Sequence, residues 1–370
     1  AYITSNYNTG YMVGDIKGAF LSSIDTTNVS VTARNLILNS TFENTNNWTG
    51  ASNGVLTTPT GLGSYANGSV LRITNTGGIN GRAQSNSFST TVGKQYGIRV
   101  SFTNKSHASN VGYRVEVRQS GNDLVPESNQ LNSGVYNYTF TSAGTGTYYI
   151  ELYAIGSDGE WAEFDNVYVY ELEQDRSVNN KGLQVYGTIT KTPVVAGAEL
   201  VAYTGFSASN YLQQPYNSDL NFGTGDLSII FWYKLTSTGT PQCFIHRGDG
   251  GSGTWGSGAI IQIEMDSSHL ELQLAASGFS SFDQVQVPIA QSATGEWQHF
   301  VGVREGGRMH VYIDGVKYGN VASTRDLSNT SAILWVGQRP NSSRPLSNGS
   351  MALLRMSSTV PTPEQVKKMY

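Results

Sequence analysis

The chain has 370 residues, enough for two ordinary cores, with a net charge of −4 and only 14% charged residues. That balance excludes the basic footprint of a nucleic-acid binder and gives no attraction to an anionic membrane, and no apolar run reaches the length of a membrane span. The single cysteine, Cys243, excludes an internal disulfide framework. Flanked by Gln242, Phe244 and Ile245, it reads as a small buried hydrophobe on a strand, and the chain is expected to fold in a reducing compartment.

Gly, Ser, Thr and Asn crowd the sequence, a diet that suits short strands and many turns. Residues 1–33 carry few apolar anchors and read as a lead-in or stalk, with Gly10–Ile16 as one strand that could close an upstream domain. Residues 34–172 show short alternating segments at regular spacing, among them Val70–Thr74, Gly112–Arg118, Thr147–Ile155 and Trp161–Val169, which predicts an antiparallel β-sandwich. Residues 173–197 read as a connector, in which Lys181–Lys191 alternates without a complete hairpin partner. It is either an oligomerisation strand or the first strand of a second sandwich, which residues 198–370 predict. The clearest piece of that sandwich is Trp297–Arg304, a Gly306–Gly307 turn, Arg308–Ile313 and an Asp314–Gly315 turn. Thr362, Pro363 and Gln365 then form a capping box that opens a helix running to the last residues, and the chain is expected to be a segment of a longer polypeptide.

These landmarks carry three resemblances. Asn35–Glu43, Gly93–Tyr96 and Phe164–Val167, in that order, resemble the family 4/9 carbohydrate-binding modules. Leu220–Trp232 and Trp297–Gly315 resemble the laminin-G/concanavalin A-like jelly rolls, although Asn348–Leu354 lacks the acidic pair usual in that family's late strand, so no metal role is carried over there. The connector with Ala198–Tyr203 resembles segments of podovirus tail-fibre and tailspike-like proteins, which implies a homotrimer. The fold class is therefore all-β: two antiparallel jelly-roll sandwiches in series and a short C-terminal helix.

No catalytic constellation is complete. Glu264 and Asp266 begin the paired-acid pattern of jelly-roll glycosidases, but Ser268 and His269 stand where the third acid belongs. A G-x-S-x-G elbow and H-E-x-x-H are absent, and His107, His246, His269, His299 and His310 read as satisfied strand residues. Sugar binding needs flat apolar faces and planar polar groups. Alternation turns Val115, Val117, Ile150 and Leu152 inward and leaves Arg114, Glu116, Arg118, Tyr149, Glu151 and Tyr153 on the opposite face. Together with Trp161 these form the expected glycan strip, where the resembled modules hold their sugar. Trp255, on a Gly-rich loop, is a second expected stacking platform, with Arg339 and Arg344 nearby. Arg247–Gly248–Asp249 is discounted as an adhesion motif. The module resemblance also places Glu43 and Asp165 where a structural calcium is held, an ion that takes carboxylate and carbonyl oxygens.

Together these readings point to a non-catalytic carbohydrate-recognition segment of a phage tail protein. The resemblance implies host attachment through a bacterial surface polysaccharide, other virion tail proteins as partners, and a place in the virion tail after synthesis in the bacterial cytoplasm. An accessory region of a polysaccharide-degrading enzyme and a structural virion spacer are the alternatives.

Overall fold

The computed structural model describes residues 15–30, 35–61, 65–107, 111–119, 122–123, 130–144, 146–177, 179, 181–249, 258–278, 280–291, 294–340 and 344–370. Strands dominate, and the one α-helix among these residues is Pro363–Met369. None of the described helices is long and apolar enough to cross a membrane. The chain divides into two compact units, Val31–Leu172 and a second built from Ala1–Ser30 with Glu173–Tyr370.

Val31–Leu172 is a sandwich of two antiparallel sheets. One carries strands in the order Asn122–Asp123, Gly112–Gln119, Thr147–Ile155, Gly81–Ser85 and Trp48–Ala51, with Phe88–Ser89 also on Thr147–Ile155. The other runs Gly134–Thr141, Gln95–Lys105, Trp161–Glu171, Leu71–Asn75 and Gly54–Thr57. Period-two alternation sends Ile98, Val100 and Phe102 from one sheet, and Tyr113, Val115, Ile150 and Leu152 from the other, into a shared core. The Phe102 and Tyr113 rings lie 4.8 Å apart and stacked, with Phe164 edge-on to both. Each ring buried in this way contributes about 2–3 kcal/mol.

The second unit has a nine-stranded and a seven-stranded sheet. In the larger, Thr188–Pro193, Val201–Thr204, Gly349–Ser357, Leu227–Leu235, Trp297–Glu305, Arg308–Ile313 and Val316–Ala322 follow Val29–Ser30 in order. The smaller runs Gln184–Tyr186, Tyr211–Gln214, Ile333–Val336, Gln242–Gly248, Ile260–Met265, His269–Ala275 and Phe282–Pro288. The hairpin turns are as the sequence predicts: Gly306 and Gly307 have φ of 54° and 75°, and Asp314 and Gly315 have 51° and 77°, the left-handed values a two-residue turn requires. Asp314 also ties its hairpin down, its carboxylate accepting from the His299 amide at 2.7 Å and Gln298 Nε2 at 3.1 Å. The capping box is present, with Thr362 N–H donating to Gln365 Oε1 at 2.8 Å. Val366 and Met369 of the helix, with Ile16 and Ala19, cover Ile230, Val301, Val303 and Tyr312.

The lead-in and the connector differ from expectation. Ile16–Phe20 pairs antiparallel with Gly349–Ser357, so residues from the start of the chain help build the C-terminal sandwich. Of the expected early strand, residues 10–14 lie outside the described residues. Gln184–Tyr186 pairs with Tyr211–Gln214, and Thr188–Pro193 with Val201–Thr204, so these connector strands find partners within their own chain. The Val31–Leu172 sandwich is therefore an insertion within the other unit rather than its predecessor in a series.

Candidate functional site

The expected strip in Val31–Leu172 assembles from neighbouring strands. Tyr149 pairs with Arg118, Glu151 with Glu116, and Tyr153 with Arg114, and Arg82 joins them opposite Tyr153. The two acids face each other across the ladder, an arrangement that repels unless compensated. Glu116 and Glu151 are each only 1% exposed, beneath partly exposed arginines. Arg114 Nη1 donates to Glu116 at 3.1 Å, Arg118 Nε lies 2.9 Å from Glu151 Oε2, and Arg82 Nη1 donates to Glu151 at 3.1 Å. Tyr153 Oη lies 2.6 Å from Glu151 and 2.9 Å from Glu116, and burial with that Glu151 contact holds its phenol well above the usual range. The charged groups on this face are thus committed to one another, and Tyr149 is half-buried at their edge.

Trp161 does not belong to that strip. It lies on the opposite sheet, paired with Thr74, where the Arg72 guanidinium sits 4.0 Å over its ring and bonds Glu163. Alternation shows which residues share a face of one sheet but not which sheet a distant strand joins. Trp255 lies outside the described residues. Arg339 and Arg344 both reach Glu264, at 3.4 and 2.8 Å. Arg247 of the Arg-Gly-Asp run is 1% exposed and donates to the Leu327 and Asn329 carbonyls, so its guanidinium is not presented, and burial lowers its pKa to about 10.

Of the two acids expected to hold calcium, Asp165 is buried and Glu43 is exposed. Burial raises the Asp165 carboxyl, the like charge of Glu43 adds to the rise, and two amide donors, Asn67 and Asn166 at 2.7 Å each, work against it. Glu43 is exposed, and the Thr41 hydroxyl lowers its pKa. A hard cation takes carboxylate oxygens, which these two side chains would supply.

Sequence reasoning missed a polar row on the seven-stranded sheet. Gln184, Gln213, Trp335, His246, Gln262, Gln273 and Gln284 stand in direct cross-strand register, one from every strand. They occupy the face opposite the core residues Ile245, Ile263, Leu272 and Val285. His246 Nδ1 is 2.7 Å from Gln262 Oε1, and Gln262 Nε2 donates to Gln273 at 3.0 Å. At one end the row meets half-exposed rings: Tyr186 stacks on Tyr211 at 4.5 Å, and Tyr211 lies 5.1 Å from Trp335. Gln184 Nε2, Trp335 Nε1 and His246 Nε2 are buried without a hydrogen-bond partner among the described residues. Burial lowers the His246 pKa to about 4, so its imidazole is neutral at pH 7. The signal was present in three successive strands, as Gln262/Glu264, Glu271/Gln273 and Gln284/Gln286. Each is an amide or acid pair two apart, in a run of Ile, Leu and Val.

An open apolar hollow of about 320 Å³ lies elsewhere in this unit, lined by Trp232, Trp297, Val194, Val195 and Leu200 among others. Trp297 Nε1 there already donates to the Val194 carbonyl at 2.9 Å.

Residues 206–367 match the concanavalin A-like lectin/glucanases superfamily. The match covers less than half of the chain and lies wholly within the unit that carries the polar row. Among solved structures, domain 4 of a GH43 extracellular arabinanase from Geobacillus stearothermophilus, in complex with arabinotriose, is similar at 19% identity and TM-score 0.42, over 53% of this chain and 91% of that one. The ligand-binding domain of botulinum neurotoxin serotype D, in complex with N-acetylneuraminic acid, is similar at 13% identity and TM-score 0.43, over 53% of this chain and 47% of that one. The receptor-binding domain of a botulinum neurotoxin C/D mosaic serotype stands at 13% and 0.42, over 53% and 48%. This chain thus spans about half the length of the neurotoxin domains. No curated protein matches the chain.

Proposed function

We propose that the chain is a non-catalytic carbohydrate-recognition segment and that the polar row of the seven-stranded sheet is its saccharide-binding face. The observation that carries this reading is the row's unmet hydrogen-bonding capacity. Three of its members hold buried polar atoms with no partner, each costing about 1–3 kcal/mol, next to rings suited to the C–H face of a sugar. Hydroxyl groups of a saccharide are donors and acceptors of the kind these amides, indole and neutral imidazole lack. The superfamily match over the same unit supports the reading.

The finer proposal, from the tail-fibre resemblance of residues 173–203, is a host-glycan-binding segment of a phage tail protein that acts as a homotrimer beside other virion tail proteins. Repetition on a trimer would strengthen weak sites through effective concentration. A glycan array with bacterial surface polysaccharides tests the reading, with the mass of the free chain measured by light scattering. Saccharide binding that Trp335→Ala and Tyr211→Ala both weaken supports the face. Binding that neither variant changes removes it, and a monomer removes the trimer. The accessory-enzyme alternative would show polysaccharide cleavage once the flanking sequence is attached. The calcium proposal at Glu43 and Asp165 is tested by the thermal midpoint of the chain in calcium against chelator, an increase that Asp165→Asn should abolish.

A further inference from the structure

The hairpin joining Ile260–Met265 to His269–Ala275 brings three metal-ligating side chains together for a local reason. His269 and Glu271 are two apart on one strand and share its face. Asp266 is folded back toward them by the turn, its Oδ1 accepting the Ser268 and His269 amides at 2.5 and 2.6 Å while its own N–H donates to the His269 carbonyl. One ligating atom from each of the three lies within 4.8 Å of the others, and His269 Nδ1 is 4.0 Å from Asp266 Oδ1. Donors on a tetrahedral ion stand about 3.3 Å apart, as bonds of 2.0–2.1 Å dictate. Asp266 and His269 are each about one-third exposed, and rotation of the His269 ring closes that difference while Asp266 Oδ1 keeps its amide donors.

The buried member of the group supplies the second observation. Glu271 is 4% exposed, yet its hydrogen-bond donors are neutral: Gln273 Nε2 at 2.5 Å and Gln286 Nε2 at 2.6 Å. The nearby guanidiniums of Arg339 and Arg344 contact Glu264, opposite Glu271 on the next strand, and Glu271 forms no ion pair among the described residues. A buried carboxylate without a contacting cation is costly. Three acids, Glu264, Asp266 and Glu271, here outnumber two arginines.

We propose that Asp266, His269 and Glu271 bind a divalent transition metal of the zinc class, the metal supplying the positive counter-charge that the buried Glu271 carboxylate lacks. One imidazole and two carboxylates suit a borderline ion better than calcium or magnesium, which favour oxygen alone. Three protein donors leave a fourth position for water. This site lies beside the polar row but does not depend on the saccharide reading, and its test needs no sugar.

The chain, stripped with EDTA, is titrated with zinc chloride by calorimetry and with Co²⁺ by visible absorption. Saturable zinc binding is expected, with intense visible bands from a low-coordinate cobalt site. His269→Ala should weaken zinc by more than the roughly 10–100-fold typical of losing a partner one step from the metal. Glu271→Gln should do the same, and Asp266→Asn, on the turn, gives the same readout should Glu271→Gln fail to fold. His107→Ala, whose exposed ring lies in the other unit, should leave zinc binding unchanged. Absence of saturable zinc binding, or binding that a folded His269→Ala chain retains in full, overturns the proposal.

Discussion

Both units build a polar face from alternate residues of an antiparallel sheet, and the two faces differ in how their polar groups are satisfied. On Val31–Leu172 the side chains are charged, and arginines, acids and Tyr153 bond one another in a shared network. On the seven-stranded sheet the side chains of the row are uncharged at neutral pH, and three keep an unpartnered buried polar atom. An ion network compensates itself, so a ligand must compete with contacts already made. A row with unmet hydrogen bonds gains from a ligand. Charge and aromaticity mark the first face, unmet hydrogen-bonding capacity marks the second, and the proposed saccharide face rests on the latter.

The largest test strikes the charged network. Glu151→Ala leaves arginines without their buried partner and should destabilise its sandwich by about 3 kcal/mol, the lower end for buried pairs because the arginines are partly exposed. Urea unfolding reads this, and a loss below about 1 kcal/mol would mean the network is loose enough to admit a ligand. Next is pH. His246 and His299 both titrate near 4 when folded, through burial, against an ordinary 6.5. The unfolded chain then binds more protons, so their contribution is complete above pH 6.5, falls as pH drops toward 4, and is gone below that. Each group accounts for up to about 3 kcal/mol, and His246→Gln should flatten the urea midpoint measured between pH 7 and 4.5. In binding, Trp335→Ala should weaken saccharide affinity by roughly a hundredfold, as loss of an aromatic anchor does, and Tyr149→Ala by less than about threefold. The opposite order, read by calorimetry with an array hit, would move recognition to the inserted sandwich. The smallest effect sets the scale: Lys94→Ala removes an exposed ion pair with Glu171 and should change stability by no more than about 0.5 kcal/mol.

Local patterns were legible and long-range pairings were not. Tyr113–Arg118 and Tyr149–Tyr153 sort their side chains as alternation predicts, and the Gly306–Gly307 turn and the Thr362 cap carry their chemistry in two to four neighbouring residues. Trp161 was assigned to the wrong sheet because nothing near it encodes that its partner is Leu71–Asn75. The Gln184 to Gln284 row escaped for the same reason. Each member is one polar residue in its own strand, and only the register of seven strands aligns them. Of the histidines expected to be satisfied, His246, His299 and His310 each keep a buried ring nitrogen without a partner among the described residues, and His269 stands with two acids.

The pairing of Ile16–Phe20 with Gly349–Ser357 sets an order of events during synthesis. At roughly 5–20 residues per second, tens of seconds separate the emergence of the two segments from the ribosome. The inserted sandwich emerges in that interval, and the strand pairings of its two sheets lie within its own span. It can therefore close while Ile16–Phe20 is still an unpaired apolar edge, open to mispairing on a crowded polysome until the last strand of the sheet arrives.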